Sequence, residues 1–186
     1  PACIICFSSF KSIAQSAAGN QDSAFVFNLI AKAEAFFSDS QYDSALHYSS
    51  RAEEYSKQKN YKKGIAYSLI KKSEILIDKE ELDKVENLTE RIHALGQQMN
   101  DSLLIGISTM QMAQGKMYGG KYDEAIKLFE KCTSNYFNRH PSKYAALAYN
   151  DYGYTWGQKS EYQKQADCLL NAMRIYDQVK GAEAGE

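Results

Sequence analysis

The stretch Tyr122-Asp123-Glu124-Ala125-Ile126-Lys127-Leu128-Phe129 recurs along the chain at a constant spacing. Forty residues earlier stands Leu82-Asp83-Lys84-Val85, and forty residues before that stands Tyr42-Asp43-Ser44-Ala45. Forty residues later stands Tyr162-Gln163-Lys164-Gln165. A fixed period of about 20–50 residues is typical of repeat arrays. We therefore predict four structural repeats, each containing a helix that begins at one of these four anchors.

The composition indicates a globular and helical protein. Of 186 residues, 44% are hydrophobic and 24% are charged, which is typical of folded domains rather than of disordered chains. The only prolines are Pro1 and Pro141, so few positions would break a helix. Ala, Leu, Lys, Glu and Gln, which favour helices, are abundant. We predict an all-α fold built from helix pairs.

Each repeat is predicted to contain a first helix, a short turn and a second helix. Asn20, Asn60 and Asn100 lie forty residues apart and precede apolar periodic runs. Asn is a favoured N-cap because its side-chain oxygen accepts hydrogen bonds from the first turn. In the fourth repeat, His140 takes this place and Pro141 would be the first helical residue. The predicted segments are a leader at 1–19, repeats at about 20–59, 60–99, 100–139 and 140–180, and a tail at 181–186.

Small and large residues keep their places in successive repeats, which predicts how the helices pack. Small residues at fixed positions let two helix backbones approach closely, and large neighbours fill the remaining space. Because one helix pair cannot bury all of this surface, several pairs must stack. The small column of the first helices is Ala33, Ser73, Ala113 and Gly153, and a larger one is Phe36, Leu76, Lys116 and Trp156. The second helices carry Ala45, Val85 and Ala125, with Ala52, Ile92, Cys132 and Ala172 further on.

These columns resemble the tetratricopeptide repeat over about residues 21–178. The fourth repeat has Tyr149-x-x-Tyr152-Gly153-x-x-Trp156, and the third has Tyr122-x-x-Ala125 followed by Phe129, in the order of large, small and aromatic positions that defines the family. The chain departs from the family in its period, which is 40 rather than about 34, and in lacking the closing proline. The resemblance implies a right-handed superhelical solenoid of four antiparallel helix pairs.

The resemblance also implies a function. Arrays of this kind bind proteins or peptides, and long-period versions are similar to sensor arrays of Bacteroidetes-type signalling proteins. The chain is therefore expected to be a non-catalytic scaffold for a protein or peptide partner. We expect it to form the N-terminal sensory or docking region of a larger bacterial signal-transduction or transcription-regulatory protein.

Residues 1–19 differ in composition from the rest of the chain. Ala2 to Phe10 is an apolar run without charge, and Lys11 is the only charge before Asp22. The small residues that follow are of the type that precedes signal-peptide cleavage. We interpret this segment as the remnant of a signal peptide, which predicts an extracytoplasmic (periplasmic) protein. The alternative is an apolar leader that packs as an extra half-helix, or a disordered leader, on a cytoplasmic protein. No later segment is apolar for the roughly 18 residues that a membrane span needs.

A second set of apolar columns on the first helices is the predicted peptide groove. Apolar side chains would supply affinity there, and the polar residues between them would orient the peptide. The alternative is that the same residues only pack against neighbouring helices, because the first helix of a solenoid contacts both neighbours. The groove residues are Phe27, Ile30, Glu34, Phe37, Tyr67, Ile70, Glu74, Ile77, Ile107, Met110, Gln114, Met117, Leu147, Asn150 and Tyr154.

Two other functions remain as alternatives. The first is self-association, in which the open face of the C-terminal helix pair docks on another copy of the chain. The second is a small-ligand sensor built from the aromatic cluster of the fourth repeat, although helical spacing favours packing for that cluster. The residues concerned are Leu169, Leu170, Met173 and Ile175 for self-association, and Tyr149, Tyr152, Tyr154 and Trp156 for the sensor.

The remaining patterns argue against an enzyme, a cofactor, a metal site or a nucleic-acid interface. Neither His47 nor His93 belongs to a His-Glu-x-x-His pattern, and Gly119-Gly120-Lys121 lacks the other residues of a phosphate-binding loop. The net charge is −1 with both signs mixed along the chain, whereas nucleic-acid binding needs a concentrated basic face. Cys3 and Cys6 have redox spacing without a redox context. Cys132 and Cys168 are predicted to be small core residues.

Overall fold

The computed structural model describes the backbone of residues 4–138 and 141–183, and the side chains of residues 21–138 and 141–181. The regular structure of this described part is helical throughout, and a π-helical turn follows α6. The all-α prediction is therefore confirmed. The helices are α1 Ile4–Ser38, α2 Tyr42–Gln58, α3 Lys62–Asp78, α4 Leu82–Met99, α5 Ser102–Tyr118, α6 Tyr122–Cys132, the π-turn Thr133–Phe137, α7 Lys143–Gln158 and α8 Tyr162–Glu183.

The even-numbered helices begin at the four anchors, as the forty-residue period predicts. The turn before each anchor has one form, in which a residue with positive φ ends the preceding helix. At the first such turn, the amide of Gln41 donates to the carbonyl of Phe36 at 2.8 Å and that of Ser40 donates to Phe37 at 2.9 Å. This is the Schellman pattern, which satisfies the last carbonyls of a helix. Positive φ recurs at Ser40, Asn60, Glu80, Asn100, Gly120 and Ser160.

The predicted roles of the asparagines as N-caps are wrong. Asn60 and Asn100 have φ of 53° and 52°, so each ends the helix before it instead of starting the next one. Asn tolerates this left-handed conformation better than most residues, which is why the same residue type fits either role. The N-cap of α5 is Asp101, whose carboxylate accepts a hydrogen bond from the amide of Leu104. Asn20 lies inside α1, which begins at Ile4.

The fourth repeat and the two ends of the chain also differ from the prediction. Ser142 is the N-cap of α7 and accepts a hydrogen bond from the amide of Ala145, so Pro141 lies outside the helix. The proposed cap His140 and the first leader residues 1–3 lie outside the described residues. Residues that were assigned to the leader form one helix with the first helix of repeat 1. At the other end, α8 continues through Glu183 into the predicted tail.

The chain forms two compact units, Pro1–Lys72 and Ser73–Glu186, and their boundary falls inside α3. In the N-terminal unit, α1 packs along α2. In the C-terminal unit, each helix from α4 to α8 packs against the next one, and α5 also contacts α7. Helices that pack mainly on their neighbours in sequence are characteristic of a helical repeat array.

The small columns are buried in the contacts between helices, as predicted. Ala33, Ser73 and Ala113 are fully buried. A Cβ added to Gly153 would stand 3.2 Å from the Cβ of Cys168, so α7 and α8 approach closely there. The corresponding positions of the second helices are also buried, namely Ala45, Ala52, Val85, Ile92, Ala125, Cys132 and Ala172. The predicted packing register is thus the register of the core.

Candidate protein-binding face

The fifteen predicted groove residues divide into a buried group and a half-buried or exposed group. The buried group contradicts the expectation of an open apolar groove, because its side chains fill the space between helices and offer nothing to a peptide. Its members are Ile70, Ile77, Ile107, Met110, Gln114 and Met117. The others retain exposed surface, namely Phe27, Ile30, Glu34, Phe37, Tyr67, Glu74, Leu147, Asn150 and Tyr154.

In the N-terminal unit, the groove residues contact one another across α1 and α3. The rings of Phe27 and Tyr67 meet edge to face, with centroids 5.6 Å apart. Glu34 accepts a hydrogen bond from the ammonium of Lys71, which is only 7% exposed and lies 5.3 Å from the ring centre of Phe37. The predicted column positions are therefore brought together here, but mainly as contacts between two first helices.

In the C-terminal unit, the corresponding contact is a buried polar pair between α5 and α7. The side-chain amide of Gln114 donates to a carboxylate oxygen of Asp151 at 2.7 Å, and Asn150 donates to the other oxygen at 3.2 Å. Burial raises the pKa of Asp151, and the two donated hydrogen bonds oppose that rise by favouring the charged form. A buried carboxylate is tolerated when its oxygens are satisfied in this way.

Both polar contacts join residues at the same spacing along the chain, which was not predicted from the sequence. Glu34 with Lys71 and Gln114 with Asp151 are each separated by 37 residues. The second members belong to a column that lies outside the predicted groove. The signal was present in the sequence, because polar residues interrupt the apolar first helices at this position in three of four repeats. That column is Ala31, Lys71, Gln111 and Asp151.

An exposed surface of the C-terminal unit combines tyrosines with carboxylates. Tyr118 and Tyr154 are 54% and 50% exposed although each lies on a helix packed into the unit. The pKa of Tyr118 is raised, first by partial burial and then by the charges of Asp151, Asp78, Tyr154 and Glu80. These groups therefore lie close to one phenol. We call this surface the acidic tyrosine face, formed by Asp78, Glu80, Tyr118 and Tyr154; the buried carboxylate of Asp151 lies near it.

The aromatic cluster of the fourth repeat does not form a cage. Tyr152 stacks on Phe129 of α6 at 5.9 Å between centroids, and its ring lies 5.8 Å from that of Trp156. The ammonium of Lys164 from α8 lies 4.1 Å from the centre of the Trp156 ring. Tyr154 belongs instead to the acidic tyrosine face. The cluster is thus divided between packing of α7 on its neighbours and the exposed surface.

A cleft of about 240 Å³ opens between α4, α5 and the turn that follows α5. Lys116 stands there in the column that holds Phe36, Leu76 and Trp156 in the other repeats, so the large apolar side chain that would fill the space is missing. The Lys116 ammonium lies 3.6 Å from a carboxylate oxygen of Glu86 and 3.8 Å from one of Glu124. Gly115 and Gly119 line the same cleft.

His93, Cys132 and Cys168 have the surroundings of residues that serve packing. Nδ1 of His93 lies 3.0 Å from the Ser108 hydroxyl, and burial, followed by the charge of Lys131, lowers the pKa of this histidine. Cys132 and Cys168 are buried free thiols, and burial raises their pKa values to about 12 and about 11. Among the described residues, no group of three metal-ligating side chains occurs, and no helix has the length and apolarity to cross a membrane.

The fold has a counterpart among solved structures. The crystal structure of BtubC (BKLC) from P. vanneervenii is similar to this chain, with a TM-score of 0.64 and 14% sequence identity. The similarity covers 86% of this chain and 66% of that chain, so this chain spans somewhat less than two thirds of the length of BtubC. At this identity the likeness concerns the fold alone. No protein-family model matches the chain, and no curated protein does.

Proposed function

We propose that this chain is a non-catalytic scaffold of the tetratricopeptide type that binds a protein or peptide. Its four helix pairs stack as a right-handed solenoid. The forty-residue period of the anchors supports this arrangement, and so do the Schellman turns at intervals of twenty residues. The observation that carries the functional proposal is the acidic tyrosine face, because Tyr118 and Tyr154 remain exposed while the central groove residues are buried.

The chemistry of this face favours a peptide that presents a basic side chain beside an apolar one. Tyr118 and Tyr154 offer ring surfaces that a lysine or arginine can approach. Asp78 and Glu80 supply negative charge beside Tyr118. Leu147, on the same helix as Tyr154, is 40% exposed and adds apolar area. Carboxylates with aromatic rings are a recurring solution for recognising cationic side chains in peptides.

The test is selection of a binding peptide from a random library, followed by measurement of affinity by fluorescence anisotropy. The double variant Tyr118→Ser, Tyr154→Ser is expected to weaken binding at least tenfold, which corresponds to about 1.4 kcal/mol. Tyr162→Ser is the matched control, because Tyr162 is 67% exposed but lies outside the face. Equal affinity of the double variant and the control would refute this site. Binding should also weaken as salt increases.

The wider setting belongs to the same proposal. The scaffold is the N-terminal sensory or docking region of a larger bacterial signal-transduction or transcription-regulatory protein, and it works outside the cytoplasm if residues 1–19 are a signal peptide. The apolar, nearly uncharged composition of those residues supports this. Fractionation of cells that express the protein from its full-length gene tests it. Recovery of the protein in the cytoplasmic fraction would favour the cytoplasmic alternative.

A further inference from the structure

One side of α8 exposes a continuous apolar stripe. Leu170, Met173 and Tyr176 are 59%, 63% and 59% exposed. Ala166 lies one turn before Leu170 and is also exposed. The spacing of four and three residues between Ala166, Leu170 and Met173 is the heptad spacing of helices that pack along one another. We call Ala166, Leu169, Leu170, Met173 and Tyr176 the α8 stripe.

Part of the same face is covered by a following helix in earlier repeats. The forty-residue equivalents of Met173 are Thr133, His93 and Glu53. Nδ1 of His93 contacts the Ser108 hydroxyl of α5 at 3.0 Å, and Glu53 accepts a hydrogen bond from Lys72 of α3 at 2.6 Å. In these repeats a first helix therefore lies across this face of the second helix.

The equivalents of Tyr176 are Tyr136, Gly96 and Ser56, and two of them support the same conclusion. Ser56 is buried, and Gly96 is buried and lies so close to α5 that an added Cβ would stand 2.9 Å from Ile105. The register thus identifies the part of the α8 stripe around Met173 and Tyr176 as a face that receives a helix. The equivalents of Leu170 are Ser50, Glu90 and Glu130, which are polar and exposed. An ordinary first helix does not cover that position, so the apolar Leu170 indicates a helix of a different kind.

The charges beside the stripe indicate which helix this is. Asp167 and Arg174 are exposed, lie one heptad apart, and flank the stripe on the same side. Within the chain, Asp167 accepts a hydrogen bond from Gln163 at 3.2 Å, and Arg174 donates one to Asn171 at 3.3 Å. When two identical helices pack antiparallel about a two-fold axis, residues at one flanking heptad position face residues at the same heptad position of the other helix. An axis near Leu170 would set Asp167 of each copy opposite Arg174 of the other.

We propose that the chain forms a symmetric dimer through α8, with two copies of the helix packed antiparallel. In this arrangement Leu170 of each copy packs on Met173 of the other, and Leu169 packs on Tyr176. Two Asp167–Arg174 ion pairs flank this core. A two-fold interface uses the same patch on both copies, so the patch must be complementary to itself. The opposite charges of Asp167 and Arg174 meet this requirement. In a parallel pair the same charges would stand about 10 Å apart along the axis and would not meet.

The interface is expected to be of modest strength. Asp177 and Lys180 continue the line of the stripe beyond Met173, so the apolar core is short. Interfaces of small apolar area associate weakly. A dimer with a dissociation constant on the order of micromolar is therefore expected. The acidic tyrosine face contains none of these residues, so the dimer and the proposed peptide binding stand or fall separately.

Sedimentation equilibrium of the full chain across a range of concentrations tests the proposal. The wild type should form a monomer–dimer equilibrium. Asp167→Arg and Arg174→Glu, made singly, should each weaken dimerisation at least tenfold because like charges then face each other. The double variant D167R/R174E should restore it, because the ion pairs are re-formed with reversed sign. Lys127→Glu, an exposed charge reversal on α6, should have no effect.

Three outcomes would overturn the proposal. The first is a wild type that remains monomeric at roughly 100 μM, which would leave the α8 stripe to a helix of another kind. The second is a dimer that the single charge reversals do not weaken. The third is a double variant no better than the single variants although its circular dichroism shows the native helix content, which would remove the antiparallel pairing.

Discussion

Glycines within one helix serve different purposes in this chain. A Cβ added to Gly106 of α5 would stand 2.9 Å from the side chains of Tyr136 and Phe137 in the π-turn. A Cβ added to Gly115 of the same helix would meet only Val85, at an ordinary 3.7 Å. Gly106 is therefore needed for the close approach of two elements, whereas Gly115 only lowers the helix propensity of α5.

Alanine substitution separates these two glycines. We expect Gly106→Ala to lower the free energy of unfolding by about 1–3 kcal/mol through overpacking. Gly115→Ala should raise it by about 0.5–1 kcal/mol, because alanine restricts the unfolded chain and favours helix. Urea denaturation followed by circular dichroism measures both. Two effects of the same sign would show that the contact between α5 and the π-turn is placed wrongly.

The helix start at Asp101 gives a second prediction for single residues. Its carboxylate caps the amide of Leu104, while Asn100 has the left-handed conformation. Asp101→Ala is expected to cost about 1 kcal/mol of stability. Asn100→Gly should be neutral or slightly stabilising, because glycine adopts positive φ without strain. If Asn100→Gly instead proved the more damaging change in thermal unfolding, Asn100 would be the cap after all.

Asp151 should make stability depend on pH in an unusual direction. Burial raises its pKa above the ordinary 3.8, so the folded state holds this proton more tightly than the unfolded state. The contribution of Asp151 to the free energy of unfolding therefore falls as pH rises from about 3.8, the ordinary pKa, through the raised pKa of the folded state. Asp151→Asn, which cannot ionise, should gain stability relative to the wild type over that interval.

Chemical denaturation between pH 3 and pH 8 measures this difference between wild type and variant. Asp123→Asn is the control, because Lys159 lowers the pKa of Asp123. Its contribution has the opposite sign, since a carboxylate with a lowered pKa stabilises the fold above its ordinary pKa and loses this effect as pH falls. A flat difference curve for Asp151→Asn would mean that Asp151 titrates normally in the folded chain.

At the scale of elements, the contact of α5 with α4 and α6 is where a substitution is expected to raise the stability of the fold. Lys116 replaces the large apolar residue that other repeats place there, and its ion-pair partners Glu86 and Glu124 are themselves exposed at 64% and 58%. Such pairs contribute little. Lys116→Leu should therefore fill the cleft and stabilise the chain by about 1 kcal/mol. Lys127→Leu, on the exposed side of α6, should leave the melting temperature unchanged, and an equal rise in both variants would remove this explanation.

The sequence predicts the presence and order of the helices better than it predicts the residues at which they begin and end. The anchors Tyr42, Leu82, Tyr122 and Tyr162 begin helices as expected, because the forty-residue period reflects packing that every repeat shares. The caps failed because Asn60 and Asn100 suit either end of a helix, and only the backbone angle distinguishes the two. The start of α1 at Ile4 agrees with the alternative that the leader forms an additional half-helix. The composition of residues 1–19 could not distinguish this alternative from a signal-peptide remnant.

At the scale of the whole molecule, the binding face was predicted only in part. Periodicity identifies which side of a first helix is apolar, but it does not show how much of that side the neighbouring helices cover. Met110 and Ile107 were thus assigned to an open groove although they are fully buried. The polar pair of Gln114 with Asp151 depends on contacts 37 residues apart, which a comparison of single columns does not reveal.

The central claim is that the chain binds peptides through the acidic tyrosine face. Photo-crosslinking of a library-selected peptide that carries a benzophenone, followed by mass spectrometry, tests this claim most directly. The account predicts crosslinks on α5 and α7 near Tyr118, Leu147 and Tyr154. It also predicts their loss in the Tyr118→Ser, Tyr154→Ser variant. Crosslinks that fall instead on α2 or α8, and that survive in this variant, would contradict it.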